Sequence, residues 1–141
     1  MLGNRYFLAR QFDKAIPCLE EALQRNPNGH KIKKKLVVCY IEVGQVERAF
    51  NYFHTLVHLD PHIIIDTDPY YDDCPCCELI PIWENKHEQG AGTVDVLKIL
   101  GMLYLYCNVD KAIEFFNEVI QQVENPVKTN SILTQLTKVS V

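Results

Sequence analysis

A 34-residue register is the strongest constraint on how this chain folds. Set "LGNRYFLARQFDKAIPCLEEALQRNP" (2–27) above "LVVCYIEVGQVERAFNYFHTLVHLDP" (36–61) and the landmarks move together: Leu2 to Leu36, Tyr6 to Tyr40, Phe12 to Val46, Ala15 to Ala49, Leu19 to Phe53, Ala22 to Leu56, Pro27 to Pro61. Within each half, large apolar residues recur at three- and four-residue steps, the spacing of one buried helical stripe. Small Gly3, Ala15 and Ala49 stand where two helix backbones come close, and Val37 departs from that pattern. Gly44 can supply a positive backbone angle at a helix end, and the prolines end the second helices. Each half therefore reads as a helical hairpin, which cannot bury both its faces alone and must stack on neighbours.

A third unit, "LGMLYLYCNVDKAIEFFNEVIQQVENP" (100–126), repeats the order through Leu100, Gly101, Tyr104, Ala112, Phe116 and Val119, one residue short in the turn near Asn108. Thr93 is placed to cap the helix that opens it. In "PVKTNSILTQLTKVSV", Ile132, Leu133, Leu136 and Val139 form an apolar stripe opposite Lys128, Thr134, Gln135 and Lys138, as a terminal capping helix requires.

These residues resemble the tetratricopeptide repeat, whose 34-residue period and Leu-Gly-x-x-Tyr, Ala-x-x-x-Phe, Pro order they reproduce. The resemblance implies an all-α fold, an α-hairpin solenoid wound as a right-handed superhelix. The expected organisation is two hairpins over 1–61, an insert over 62–92, a third hairpin over 93–126 and a capping helix over 127–141. Met1 falls partway into the family's first helix, so that helix reads as truncated, mis-started, or completed by a neighbouring molecule. Self-association is accordingly expected, with Phe7 and Leu8 beside the incomplete helix.

The resemblance also implies a non-catalytic scaffold that holds a peptide or helix of a partner protein in the groove lined by the first helix of each hairpin. By the family pattern that groove takes Asn4, Phe7 and Leu8, then Lys31, Lys34, Val38, Ile41 and Glu42, then Lys98, Leu105 and Tyr106. "HKIKKK" (30–35) is the densest basic run in an acidic chain, and helical spacing sets Lys31, Lys34 and Lys35 near one face. An acidic peptide or a C-terminal carboxylate is the ligand such a face would hold; a solvated helix start is the simpler reading.

Residues 62–92 break the register. "HIIIDTDP" favours extended chain through its β-branched run and proline. "ELIPIWENKHEQ" reads as a short helix with Pro81 near its start, and "GAG" as a hinge. Ile63 to Ile65, Leu79, Ile82 and Trp83 need an apolar surface to cover them.

Cys74, Cys76 and Cys77 in "DDCPCC" combine C-x-C and C-x-x-C spacing, while His54 and His58 lie one helical turn apart. Two imidazoles and two thiolates would complete a tetrahedral zinc site, and a thiol near a helix start would suit redox chemistry, though the βαβ setting of thioredoxin-like proteins is lacking. A metal-binding or thiol-redox regulator using these five residues is the alternative to the scaffold, and reduced cysteines in a loop are the plain reading.

Composition narrows the classes. A formal net charge of -4 and a pI near 5.7 over 141 residues give no general attraction to nucleic acid. No apolar stretch reaches membrane-spanning length, and the N-terminus lacks the marks of a secretory signal. Cys18, Cys39 and Cys107 are dispersed among helix formers as small core residues, so a reducing cytoplasm is expected. Glu20–Glu21 and Asp72–Asp73 are neighbours in sequence, not partners across a cleft, and no nucleophile, base and acid set or phosphate loop is present, so no enzyme and no bound cofactor is expected.

Overall fold

The computed structural model describes residues 2–68, 74–90 and 93–139. Met1, Asp72, Asp73, the last two glycine-hinge positions (91–92) and the last two residues lie outside them. Among the described residues the chain is helical throughout, with no strand. It divides into two compact units, Met1–Leu56 and Val57–Val141.

The first unit holds α1 (Leu2–Leu8), α2 (Phe12–Arg25), α3 (His30–Glu42) and most of α4 (Val46–Leu59), which runs across the boundary. Here α2 packs against both α1 and α3. A β-carbon added at Gly3 would sit 3.0 Å from Leu19 Cδ2, so glycine sets how closely α1 approaches α2. Phe7, Ala15, Leu19, Leu36, Tyr40, Ala49 and Phe53 are buried, as the register requires.

The turns inside the two hairpins share one device. Arg10 has φ 60°, its N–H donates to Phe7 O, and the Gln11 N–H donates to Tyr6 O at 2.9 Å. At the equivalent place Gly44 has φ 85°, its N–H donates to Ile41 O, and the Gln45 N–H donates to Tyr40 O at 2.8 Å. Both are left-handed helix stops that satisfy the last carbonyls, one built on arginine and one on glycine. An added β-carbon at Gly44 would meet nothing within 4 Å, so Gly44→Ala isolates the backbone cost. Urea unfolding is expected to show a loss of about 1–2 kcal/mol for Gly44→Ala. Arg10→Gly is expected to gain about 0.5 kcal/mol, because glycine's extra freedom in the unfolded chain offsets part of the relief.

The second unit contains α5 (His62–Ile65), α6 (Cys76–Glu88), α7 (Val94–Leu105), α8 (Val109–Gln122) and α9 (Val127–Val139). Helix α7 packs on α6 and α8, and α8 on α9. The α7–α8 pair reproduces the close approach of the first hairpin more tightly, since a β-carbon at Gly101 would lie 2.7 Å from the Phe116 ring. The missing residue is absorbed at the turn: no residue there takes a positive φ, the Asn108 N–H donates to Tyr104 O, and the Asn108 side chain caps α8 at Lys111 N. Thr93 Oγ1 accepts from Val96 N and caps α7. Helix α9 buries Ile132, Leu133 and Leu136 and leaves Lys128, Thr134 and Lys138 exposed.

Residues 62–92 differ from the sequence expectation in two ways. The "HIII" stretch is one helical turn, not extended chain: Asp60 Oδ1 accepts from His62 N, the Thr67 hydroxyl donates to Ile64 O, and Ile64 is buried. A short β-branched run yields to these local hydrogen bonds and to burial, because strand preference depends on a neighbouring strand to pack against.

The second difference is larger. Helix α6 starts at Cys76 and spans 13 residues, so Pro81 sits in its second turn and two of the cysteines are helical. Shifted by 64 residues, "AIPCLE" (15–20) of α2 falls on "LIPIWE" (79–84) of α6, with Pro17 over Pro81 and Glu20 over Glu84. Each proline lies inside its helix and leaves the carbonyl four residues earlier without its usual donor. The insert therefore contributes a second-helix element of the repeat. A search at 34 misses it because α6 begins 30 residues after α4, at Cys76 and Val46 respectively.

Candidate functional site: the first-helix wall

Helices α1 and α3 share one wall in the first unit. Short links join α1 to α2 and α2 to α3, so α1 and α3 run parallel. Lys35 Nζ donates to Asn4 Oδ1 at 2.8 Å and stands 5.6 Å from the Phe7 ring centre, fixing the two helices side by side. Leu8 is one turn beyond Asn4 on α1 and is 52% exposed. Lys31 is one turn before Lys35 on α3 and is also exposed. The wall thus carries a cation at one end, an apolar side chain at the other and an amide–ammonium pair between.

The remaining groove candidates are deeper. Phe7, Lys34, Val38 and Ile41 are buried, with Glu42 half-buried. In the second unit Lys98 is half-buried, and Leu105 and Tyr106 are buried. Helical phase alone does not distinguish a groove position from a core position on a helix packed on several sides, as α3 and α7 are. The basic run accordingly splits: Lys31 faces solvent, Lys35 holds Asn4, and Lys34 lies inside.

Both units carry a tyrosine–glutamate joint that residue spacing alone did not reveal. Tyr40 on α3 donates to Glu20 on α2 at 2.5 Å, and Tyr104 on α7 donates to Glu84 on α6 at 2.6 Å. Arg48 covers the Tyr40 ring at 4.6 Å and reaches Glu20 at 3.3 Å, while Tyr104 stacks on Phe115 at 5.6 Å. Burial first, and then the hydrogen bond to the carboxylate, raises both phenol pKa values, that of Tyr104 to about 12.

A folded-state value above the unfolded value of about 10 means that the joint contributes fully below pH 10. Its contribution falls as pH rises from about 10 through about 12, because the unfolded chain releases the proton first. Urea midpoints measured from pH 9 to 12 are expected to fall less steeply in Tyr104→Phe than in the unaltered chain.

The cysteines and histidines take other arrangements. Cys74 and Cys76 are joined in a disulfide with their Cα atoms 5.5 Å apart. Cys77, in the first turn of α6, and Cys107, just past α7, are exposed free thiols. His58 is hydrogen-bonded to the Ser131 hydroxyl, and His54 is half-buried on α4. Among the described residues no three His, Cys, Asp or Glu side chains form a metal-holding group. The zinc set of His54, His58, Cys74, Cys76 and Cys77 is therefore not assembled, because two of its thiols are bonded to each other. Cys39 is an inert core thiol, its pKa pushed up to about 12 by burial.

No helix among the described residues is long and apolar enough to cross a membrane. No curated protein matches the chain. A family model for the tetratricopeptide repeat matches residues 6–71, covering α1 to α5. Families of this kind are typically non-catalytic protein-interaction modules, with partners held on the repeat surface. The register, the glycine-mediated hairpin and the family match converge: residues 6–71 are a tetratricopeptide-repeat segment.

Proposed function

We propose that the chain is a non-catalytic scaffold whose α1–α3 wall binds a segment of a partner protein carrying an acidic and an apolar side chain. The observation that carries this reading is the wall itself: exposed Lys31 and exposed Leu8 on either side of the Asn4–Lys35 bond. Their separation is about two helical turns, or roughly 11 Å along parallel helices. An extended peptide rises about 3.3 Å per residue, so its acidic and apolar side chains would stand about three to four residues apart. The ammonium groups would give the carboxylate a charge-assisted partner, and the apolar contact would add area that leaves water.

A peptide array that varies the spacing between Asp or Glu and Leu or Phe tests this directly. Spacings of three or four are expected to bind best, with Lys31→Glu and Leu8→Asp each weakening capture about tenfold, or about 1.4 kcal/mol. Arg25→Ala is the control, since Arg25 is exposed on α2 and paired there with Glu21. Array binding that neither wall variant alters would overturn the assignment.

A further inference from the structure

The second unit contains an arrangement of sulfurs for which the scaffold has no use. The disulfide joins Cys74 to Cys76 across the start of α6; Cys76 is only 2% exposed, whereas Cys74 is half-buried. Cys77 follows immediately and is exposed. The fourth sulfur comes from another helix. Helices α6 and α7 pack together and are linked by five residues, so they run antiparallel and the start of α6 lies toward the end of α7. The Tyr104–Glu84 bond fixes which faces meet: Cys77 lies two turns before Glu84 on its face, and Cys107 lies one turn past Tyr104. The Cys107 thiol has a raised pKa, mainly through burial and then through the charge of Cys77, as expected of sulfurs in the same neighbourhood.

We propose that Cys77 and Cys107 form a thiol pair that takes over the disulfide from Cys74 and Cys76, converting a link local to the start of α6 into a bond between α6 and α7. In the first exchange the Cys77 thiolate attacks Sγ of Cys74, the open end of the disulfide. The Cys74–Cys77 bond forms, the Cys74–Cys76 bond breaks, and Cys76 leaves as a thiolate. In the second exchange the Cys107 thiolate attacks Sγ of Cys77. The Cys77–Cys107 bond forms and Cys74 leaves. Each step makes one S–S bond and breaks one, so no external oxidant or reductant is consumed. The two attacking thiols give up two protons, and the two leaving thiolates take them up. Because burial and the neighbouring charge hold Cys107 protonated, the second step is the one that alkaline pH accelerates.

The test uses the full chain at low concentration, without oxidant or reductant, held at pH 6 or about 8.5, the ordinary cysteine pKa. Free thiols are then blocked with N-ethylmaleimide in acid and the protein is cut with trypsin. A Cys77–Cys107 bond joins peptide 49–86 to peptide 99–111, a pair identifiable by mass. The expected result is that this pair accumulates at the higher pH in the monomer, and is lost in both Cys77→Ser and Cys107→Ser. Both cysteines are exposed, so serine leaves the core intact, and far-UV circular dichroism verifies that. Absence of the linked pair from the unaltered monomer overturns the proposal whatever the variants do. Persistence of the pair in Cys77→Ser, or its appearance only between molecules, overturns it equally.

Discussion

Phe116→Ala is expected to lower the stability of the second unit by about 3–5 kcal/mol, the range for truncating a buried phenylalanine. The ring is fully buried and lies over Gly101, so its removal opens a cavity where α7 and α8 are closest. The backbones cannot simply close the gap, since α7 is held on its other side by α6. Gly101→Ala attacks the same contact from the opposite direction, because its added carbon would sit 2.7 Å from the ring. Overpacking of this kind costs about 1–3 kcal/mol. The pair Gly101→Ala with Phe116→Leu should therefore lose less than the sum of its parts, as leucine already fills this place opposite Gly3. Calorimetry is the suitable measurement, because two compact units can melt separately. A Phe116→Ala melting profile that matches the unaltered chain would contradict the packing described.

Tyr40→Ala is expected to cost a similar amount, about 3–5 kcal/mol, taking the cost of a buried aromatic side chain as the guide. Tyr40 is fully buried, yet its hydroxyl reaches Glu20 and its ring lies between Tyr52 and Arg48. Tyr40→Phe separates the contributions by keeping the ring and deleting the hydrogen bond, for which about 1–2 kcal/mol is expected. The low end applies because Glu20 and Arg48 are partly exposed and water can replace the lost partner. Urea unfolding of Tyr40→Phe, Glu20→Gln and the double variant would show the two single losses failing to add.

Most of the hairpin architecture was legible because it depends on side-chain size at fixed intervals. Gly3, Gly101, Ala15, Ala49 and Phe116 declared where helices touch, and the structure puts them there. Helix α6 was not legible at the same period, since residues had been lost ahead of it and the surviving echo stands at 64. The "HIII" turn was missed because four β-branched residues say nothing about the hydrogen bonds that Asp60 and Thr67 bring to it. For the wall, sequence named Lys31, Leu8 and Asn4, but it could not separate Lys31 from Lys34. One turn of helix decides which ammonium meets solvent and which lies inside, and that depends on what packs around α3. The disulfide was equally hidden, as three nearby cysteines specify several pairings and only backbone geometry chooses among them.

The matched tyrosine–glutamate joints and matched prolines have a consequence for how this chain tolerates change. Helices α2 and α6 present the same connector to the helix that follows, although the lengths of chain leading into them differ. Insertions or deletions upstream can be taken up before the connector, as the shortened approach to α6 demonstrates, while the docking interface keeps its alignment. Variation in length is thus confined to the approach, and the seam behaves as an interchangeable fitting.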